Sequence, residues 1–319
     1  HKVHRTSRLL LAEHSNLTKT PASSSSLYRE ASLASALGLI VNLTLGIAKL
    51  AGGILGSSFA LISDAVNSLG DSLTSIIVLF SLWFAQRPPD EGHPYGHTRA
   101  EAVGASNVAL LIVASGVYVG FEAVRLLGVQ QEIPPLWTLW IAGANVLVKE
   151  GLYRYQSSVG KKTGSLAILA NAWDHRSDAF CSLAVLFGLA VVRWAGPEYR
   201  WADEAAALVV AAVIVGSGLR LFGHSFGELL DPQADDQIVG MIREIARQEP
   251  GVKAVEKLWV RKTGIEYLVD IHVQVDAQIT VEDGHRIGHN VKDKLMESYA
   301  SLRDVLVHLE PYSGNDGLS

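Results

Sequence analysis

Long apolar stretches separated by short polar connections fill most of the first 225 residues of the chain. Six stretches reach or approach the ~20 residues that a helix needs to cross the ~30 Å hydrocarbon core of a bilayer. A spanning backbone must satisfy its own hydrogen bonds, so these stretches are predicted to be helices. They cover roughly residues 32–56, 59–86, 101–127, 136–156, 165–194 and 203–223. Lys149 and Glu150 interrupt the fourth stretch near its predicted end.

The distribution of lysine and arginine predicts the orientation of this helical region. An even number of crossings leaves both termini on one side of the membrane. Positive residues are concentrated in the N-terminal tail and in the loops after the second and fourth stretches, which places both termini in the cytoplasm. These residues are Lys2, Arg5, Arg8, Lys19, Arg29, Arg87, Arg99, Arg154, Lys161 and Lys162. We expect a multi-pass protein of the bacterial inner (plasma) membrane.

The pattern changes at Asp231, where shorter amphipathic and alternating segments begin. Two helices and three strands in the order αββαβ predict a small α+β sandwich, with the helices on one side of an antiparallel sheet. The predicted elements are a helix over 235–248, strands over 252–261 and 265–276 joined at Thr263-Gly264, a helix over 280–298 and a strand over 303–310.

The chain is therefore predicted to have four parts. A flexible cytoplasmic tail covers residues 1–28, a six-helix transmembrane domain covers 29–225, and a cytoplasmic domain covers 231–311. Residues 312–319 are expected to be a disordered tail.

Composition agrees with a membrane protein and excludes several other classes. Apolar residues make up 49% of the chain and charged residues 18%, against about 25% charged residues in a soluble domain. The net charge of -5 provides no basic surface for nucleic acid. The single cysteine, Cys181, excludes an intrachain disulfide and a CxxC zinc site. An enzyme is not expected, because no nucleophile elbow, phosphate-binding glycine loop or HExxH motif occurs.

Two polar triplets interrupt the second and fifth apolar stretches. They are Asp64, Asn67 and Asp71 in the second and Asn171, Asp174 and Asp178 in the fifth. Each triplet has i, i+3, i+7 spacing and so lies on one helical face. Ionisable groups in a membrane helix are costly and usually mark function. If the faces meet, Asn67, Asp71, Asp174 and Asp178 can bind a divalent cation; the alternatives are polar contacts between helices, or acids near the membrane ends.

Two further groups of histidines and acids are candidate metal sites. Asp90, His93 and His97 lie in a Gly/Pro-rich loop, where they are either ligands or incidental surface residues. In the C-terminal domain the candidates are Glu256, His272, His308 and Glu310, while His285 shares a helix face with His289. A surface role for these histidines is the alternative.

Taken together, these motifs resemble those of the cation diffusion facilitator family over about residues 28–311. The resemblance depends on the paired x3-Asp motifs, on the His93-Pro94-Tyr95-Gly96-His97 loop followed by Arg99 and Glu101, and on the terminal Val307-His308-Leu309-Glu310-Pro311. It implies a homodimeric exporter of divalent metal, driven by inward proton movement, with a ferredoxin-like cytoplasmic domain.

The resemblance also implies roles for individual residues. Asn67, Asp71, Asp174 and Asp178 would form the transport site, and Asp90, His93 and His97 the loop site. Glu256, His272, His308 and Glu310, with His285 nearby, would form the cytoplasmic cluster at the dimer interface. Arg99 and Asp231 would form a charge interlock between the membrane halves of the dimer.

Departures from the zinc-type pattern bear on the metal. Zinc-type members usually have His or Asp where Asn67 stands and His where Asp174 stands, so this site resembles that of manganese-type members. Oxygen ligands suit Mn²⁺, whereas imidazole suits zinc. Mn²⁺ is therefore expected first, followed by Fe²⁺, Co²⁺ and Zn²⁺. A non-transporting metal receptor or scaffold, and an ion channel, are the alternatives from other classes.

Overall fold

A computed structural model describes residues 23–55, 59–126, 136–195, 201–312 and 314. The chain divides into two compact units. The first contains Tyr28–Pro232 together with Thr263–Ile265, and the second is formed mainly by Gln233–Lys262 and the residues from Glu266 onward. Most of the predicted N-terminal tail and of the C-terminal tail lies outside the described residues.

The first unit is helical, as the apolar pattern predicts. Its helices are α1 (Ser24–Leu55), α2 (Phe59–Ala85), α3 (Ala100–Leu126), α4 (Leu136–Thr163), α5 (Leu166–Ala195) and α6 (Trp201–Glu228). Helix α1 begins earlier than expected because the serine run starts it: the Ser26 amide donates to the Ser23 hydroxyl, the kind of contact that stabilises a helix N-terminus. The last residues of the predicted tail are therefore helical.

The outer surface of the helical unit is apolar. Large side chains such as Ile40, Ile47, Phe80, Phe121 and Leu147 are more than half exposed. An extended exposed apolar surface is typical of contact with lipid. By length and composition, three helical segments among the described residues could cross a bilayer: Ser24–Ala48, Ala100–Arg125 and Ala207–Glu228.

Small residues allow helices α3 and α6 to approach closely. A Cβ atom added to Gly116 would lie 2.9 Å from side-chain carbons of Ile214 and Val215, and one added to Gly218 would lie 2.7 Å from Val113. Glycine at such contacts is a common packing device between membrane helices.

The second unit contains α7 (Asp236–Arg247), β1 (Ala254–Thr263), β2 (Glu266–Val275), α8 (Val281–Ser298) and β3 (Leu302–Pro311). The predicted αββαβ order is confirmed, and the sheet order is β1-β2-β3. Strands β1 and β2 are joined by a tight turn in which Gly264 has a φ of 63°. This turn requires the positive φ that glycine adopts without strain.

The expectation of an antiparallel sheet is wrong for one of its two pairings. Strands β2 and β3 run parallel, with His272 opposite His308. The reason is that α8 connects them: a helical crossover returns the chain to the end of the sheet where it started, whereas a short turn reverses it. The sheet is therefore mixed.

The core of this unit lies on one face of the sheet. Ile271 and Val273 of β2 are fully buried there, and Gly288 of α8 faces Val307 and Leu309 of β3. Because successive strand residues point to opposite faces, His272 and His308 lie on the other face.

We predict that Gly218→Ala destabilises the helical unit by about 1–3 kcal/mol, because the added methyl group overpacks the contact with Val113. Gly216→Ala is the matched control: it makes the same substitution in the same helix, where an added Cβ has nothing within 4 Å. Thermal unfolding in detergent measures both variants. Equal melting temperatures would contradict the proposed close packing.

Candidate metal centres

The predicted polar faces of α2 and α5 meet in the helical unit. The Lys149 ammonium of α4 lies between them, with its Nζ atom 2.8 Å from Asp71 Oδ2 and 2.7 Å from Asp178 Oδ2. The Lys149 side chain is 1% exposed, against 14% for Asp71 and 19% for Asp178. Two carboxylates from different helices therefore share one buried cation.

Neighbouring polar groups hold the rest of this centre in place. The Thr74 hydroxyl lies 2.6 Å from Asp174 Oδ2 and 2.7 Å from the backbone carbonyl of Asp71. The Ser75 hydroxyl donates to Asn171 Oδ1 over 3.2 Å. These contacts place Asp174 beside the Asp71–Asp178 pair. The Asn67 side chain lies outside the described part of the structure, although its backbone is in α2, one turn before Asp71.

Lys149 was not predicted as a member of this centre. The sequence pattern ends the fourth apolar stretch at residue 156, so Lys149 falls near its end, whereas α4 continues to Thr163 and places Lys149 at mid-helix. The lysine also binds α1, with its Nζ atom 3.0 Å from Asn42 Oδ1. The signal that identifies it is a lone lysine within an apolar helix, which marks function by default.

His175 lies in the core beside α1. Its ring is fully buried and packs against α1, since a Cβ added to Gly38 would lie 3.0 Å from His175 Nε2. Within the described residues neither ring nitrogen has a hydrogen-bond partner. The centre formed by Asp71, Asp174 and Asp178 thus has carboxylate oxygens as its candidate ligands.

The loop residues Asp90, His93 and His97 form a second cluster, with one ligand atom from each within 4.8 Å of the others. His93 Nδ1 lies 3.1 Å from Asp90 Oδ1, and His97 Nε2 lies 3.4 Å from Asp90 Oδ2. His97 is buried against the edge of the Phe84 ring. Desolvation acts to raise the pKa of Asp90, but the hydrogen bonds from the His93 amide and imidazole outweigh it and lower this pKa below its usual value. The loop is thus folded around a carboxylate that accepts from histidine.

A third cluster joins β2 and β3 on the open face of the sheet. His272 Nδ1 lies 2.7 Å from Glu310 Oε1, and His308 Nε2 lies 3.6 Å from the same oxygen. Hydrogen bonding with Glu256, and then with His272, lowers the pKa of Glu310 below its usual value. The four predicted residues, Glu256 of β1, His272 of β2 and His308 and Glu310 of β3, are therefore brought together. The parallel register that pairs His272 with His308 makes this possible.

His285 does not join this cluster within one chain. It is exposed on α8, which covers the opposite face of the sheet, and its ring lies 4.5 Å from that of His289. Within one chain α8 carries His285 away from the cluster, because the strand alternation that faces His308 outward turns its neighbours Val307 and Leu309 toward α8. The place of His285 near a cluster at a dimer interface stays a prediction.

Arg99 and Asp231, the predicted interlock, are in contact within one chain. An Arg99 guanidinium nitrogen binds Asp231 Oδ1, and the second nitrogen donates to the Leu229 carbonyl over 3.2 Å. Asp231 has a φ of 54°, which is unusual for a residue other than glycine. The ion pair connects the start of α3 to the segment that follows α6.

Apolar helices around a buried acidic centre, followed by a second unit with a histidine cluster, are typical of a membrane protein that handles metal cations. Comparison with known proteins agrees. Residues 35–230 match the cation efflux transmembrane domain and residues 234–312 the cytoplasmic domain of cation efflux proteins. The chain belongs to the cation diffusion facilitator family of metal efflux transporters, as its motifs indicated, and this family consists of transporters rather than enzymes.

The chain is similar to several known proteins and to one group of solved structures. The manganese efflux system protein MneP of Bacillus subtilis is 31% identical over 283 residues, which cover 86% of this chain and 94% of that protein. The magnetosome protein MamB of Paramagnetospirillum magneticum is 30% identical over 260 residues, 81% of this chain and 87% of that protein. A cadmium form of the MamM CTD matches 24% of this chain and 98% of its own, with 26% identity and a TM-score of 0.24.

We predict that replacing both His272 and His308 with alanine removes about one Zn²⁺ equivalent per chain, because imidazole is a preferred zinc ligand. Equilibrium dialysis of the purified full-length protein measures the stoichiometry. His289→Ala, an exposed histidine outside the cluster, is the control and should retain full binding. An unchanged stoichiometry in the double variant would contradict a metal site on this sheet.

Proposed function

We propose that this protein exports divalent metal cations, Mn²⁺ first among them, from the cytoplasm in exchange for protons, and that it works by alternating access. The observation that carries the proposal is a pair of carboxylates in the helical unit, Asp71 from α2 and Asp178 from α5. Both lie close enough to bind one cation, and in this structure that cation is the Lys149 ammonium. Asp174 lies beside them, held by Thr74. A carrier that binds one ion at a time needs such a closed site.

The choice of metal follows from the ligands. The proposed transport site consists of Asn67, Asp71, Asp174 and Asp178, which offer oxygen atoms only. Oxygen ligands suit Mn²⁺ better than zinc, and two of the relatives are named as manganese efflux system proteins. Fe²⁺, Co²⁺ and Zn²⁺ are the next candidates.

Proton coupling follows from the same residues. We infer that protons and a divalent cation compete for the carboxylate oxygens of this centre, so that binding of the cation releases protons. Asn67 does not titrate, so Asp71, Asp174 and Asp178 carry the coupling. Alternating exposure of the site to the two sides then joins metal exit to proton entry.

The remaining features complete this proposal. The protein is a homodimer in the bacterial inner membrane, with six crossings and both termini in the cytoplasm. The Asp90–His93–His97 loop and the cluster of Glu256, His272, His308 and Glu310 bind metal outside the transport path, and His285 reaches that cluster only from another copy. Arg99 and Asp231 strengthen the membrane half of each chain.

A metal receptor without transport activity is the second candidate. It is favoured by the accessible clusters outside the helical centre, which bring three ligand groups within 4.8 Å. Such a receptor does not need the acids of the helical centre. Replacement of those acids should therefore abolish the activity of a transporter but leave metal sensing by a receptor unchanged.

We predict that Asp178→Asn abolishes Mn²⁺ efflux, because it removes a charged ligand and a proton carrier without changing the shape of the side chain. Metal uptake into inside-out vesicles under a pH gradient measures the effect. Glu150→Gln is the control, since Glu150 is on α4 and pairs only with Arg154 at the surface among the described contacts. Full transport by Asp178→Asn would reject the proposed transport site.

We predict that Asn67→Asp changes the proton-to-metal ratio or the order of metal preference, because a fourth carboxylate adds a titratable charge. Proteoliposome assays that record proton and metal flux together, across Mn²⁺, Fe²⁺, Co²⁺ and Zn²⁺, measure both quantities. Wild-type ratios and preferences in this variant would show that Asn67 is not a ligand.

A further inference from the structure

We propose that Lys149 is the resident cation of the transport site, which competes with the transported metal and moves to Asn145 when the metal binds. This proposal deepens the proposed function and rests on it, since it assigns a regulatory role within that same site. Lys149 then helps to set the metal concentration at which transport is half-maximal.

The Lys149 ammonium lies where a metal ion would bind the two acids. Lys149 Nζ has three polar partners from three helices: Asp71 Oδ2, Asp178 Oδ2 and Asn42 Oδ1. A buried lysine is tolerated only when its charge is matched and its hydrogen bonds are made. Its partners here include two acids that are candidate metal ligands, so the lysine occupies the place of the ion.

A metal ion and the Lys149 ammonium exclude each other at these acids. A divalent ion bound to Asp71 and Asp178 uses the oxygen atoms that now accept hydrogen bonds from Lys149. Two cations at such short separation in a poorly hydrated centre repel each other strongly. The metal therefore binds only if the ammonium leaves these oxygens.

The side-chain oxygen of Asn145 offers the ammonium a second position. Asn145 lies four residues before Lys149, on the same face of α4, and long helical side chains lean toward the N-terminus of their helix. The carbonyl oxygen of the Asn145 side chain is buried and accepts no hydrogen bond from any described residue. Its amide nitrogen is already fixed by donation to the Ser182 hydroxyl over 2.8 Å, which leaves the oxygen available to the lysine.

These positions have a functional consequence. With the ammonium between Asp71 and Asp178, the two acids are stabilised in an empty transporter without any metal. The metal must supply enough binding free energy to displace a tethered competitor, so weakly bound cations are rejected. Loss of the lysine charge should make the site bind metal more tightly, whereas loss of the second position should make it bind more weakly.

The test uses full-length protein in proteoliposomes and measures the initial rate of Mn²⁺ transport against Mn²⁺ concentration. Lys149→Met retains most of the length of the side chain and removes its charge. We expect the half-saturating Mn²⁺ concentration to fall about tenfold or more, because the ion no longer has to displace a like charge from its ligands. A gain of affinity separates this role from a structural one, since damage to the fold weakens binding.

A second pair of variants leaves Lys149 in place. Asn145→Ala removes the second position and should raise the half-saturating concentration several-fold. Ser182→Ala removes the same Asn145–Ser182 hydrogen bond but keeps the Asn145 oxygen, so it should behave like the wild type. In the Lys149→Met background, Asn145→Ala should have no further effect.

The outcomes distinguish this inference from the proposed function. One outcome overturns the role of Lys149 but leaves the proposed transport site intact. In it, Asp178→Asn loses Mn²⁺ flux, while Lys149→Met and the wild type have the same half-saturating Mn²⁺ concentration. Equal effects of Asn145→Ala and Ser182→Ala overturn it as well. If the wild type shows no Asp178-dependent flux, the proposed function fails; electron paramagnetic resonance of free Mn²⁺ then compares binding directly, and tighter binding by Lys149→Met upholds the competition.

Discussion

A single buried ammonium between two carboxylates holds the centre of the helical unit together. Lys149 joins α4 to Asp71 of α2 and Asp178 of α5, and Asn42 connects the same group to α1. Each charge is tolerated only because the others are present, since an unpaired ion in such surroundings costs several kcal/mol. Asp71 and Asp178 are suited to bind a divalent cation, and without a metal the same two acids require another cation, which Lys149 supplies. Metal binding and the stability of the metal-free centre therefore depend on the same charges.

The acids of this centre could be predicted from the sequence because their spacing carries the information. Asp71 and Asp178 each end an i, i+3, i+7 triplet within an apolar stretch, and few arrangements other than two facing helices accommodate both. Lys149 carried an equally strong signal, but the apolar pattern stops seven residues before the end of α4. A charged residue near a predicted helix end is unremarkable, whereas the same residue at mid-helix is not. The polar last two turns of α4, which include Lys161 and Lys162, conceal its length.

The second unit shows the same division between local and non-local information. Alternation along β2 predicted that His272 lies on the polar face, and the order of elements predicted αββαβ. The pairing of β2 with β3 depends on how the α8 crossover returns the chain, which no local pattern records. That parallel pairing puts His272 opposite His308, while α8 carries His285 to the other face. Residue type alone makes His272, His285 and His308 candidate ligands of one site. The strand pairing and the position of α8 determine which of them lie close together within one chain.

Anomalous diffraction at the manganese edge, from crystals of the full-length protein grown with Mn²⁺, shows where the metal binds. We expect a peak between Asp71 and Asp178 in the helical unit, with the Lys149 ammonium withdrawn toward Asn145. Manganese found only at the Asp90–His93–His97 loop or at His272, His308 and Glu310, with Lys149 still bridging the two acids, would contradict this expectation.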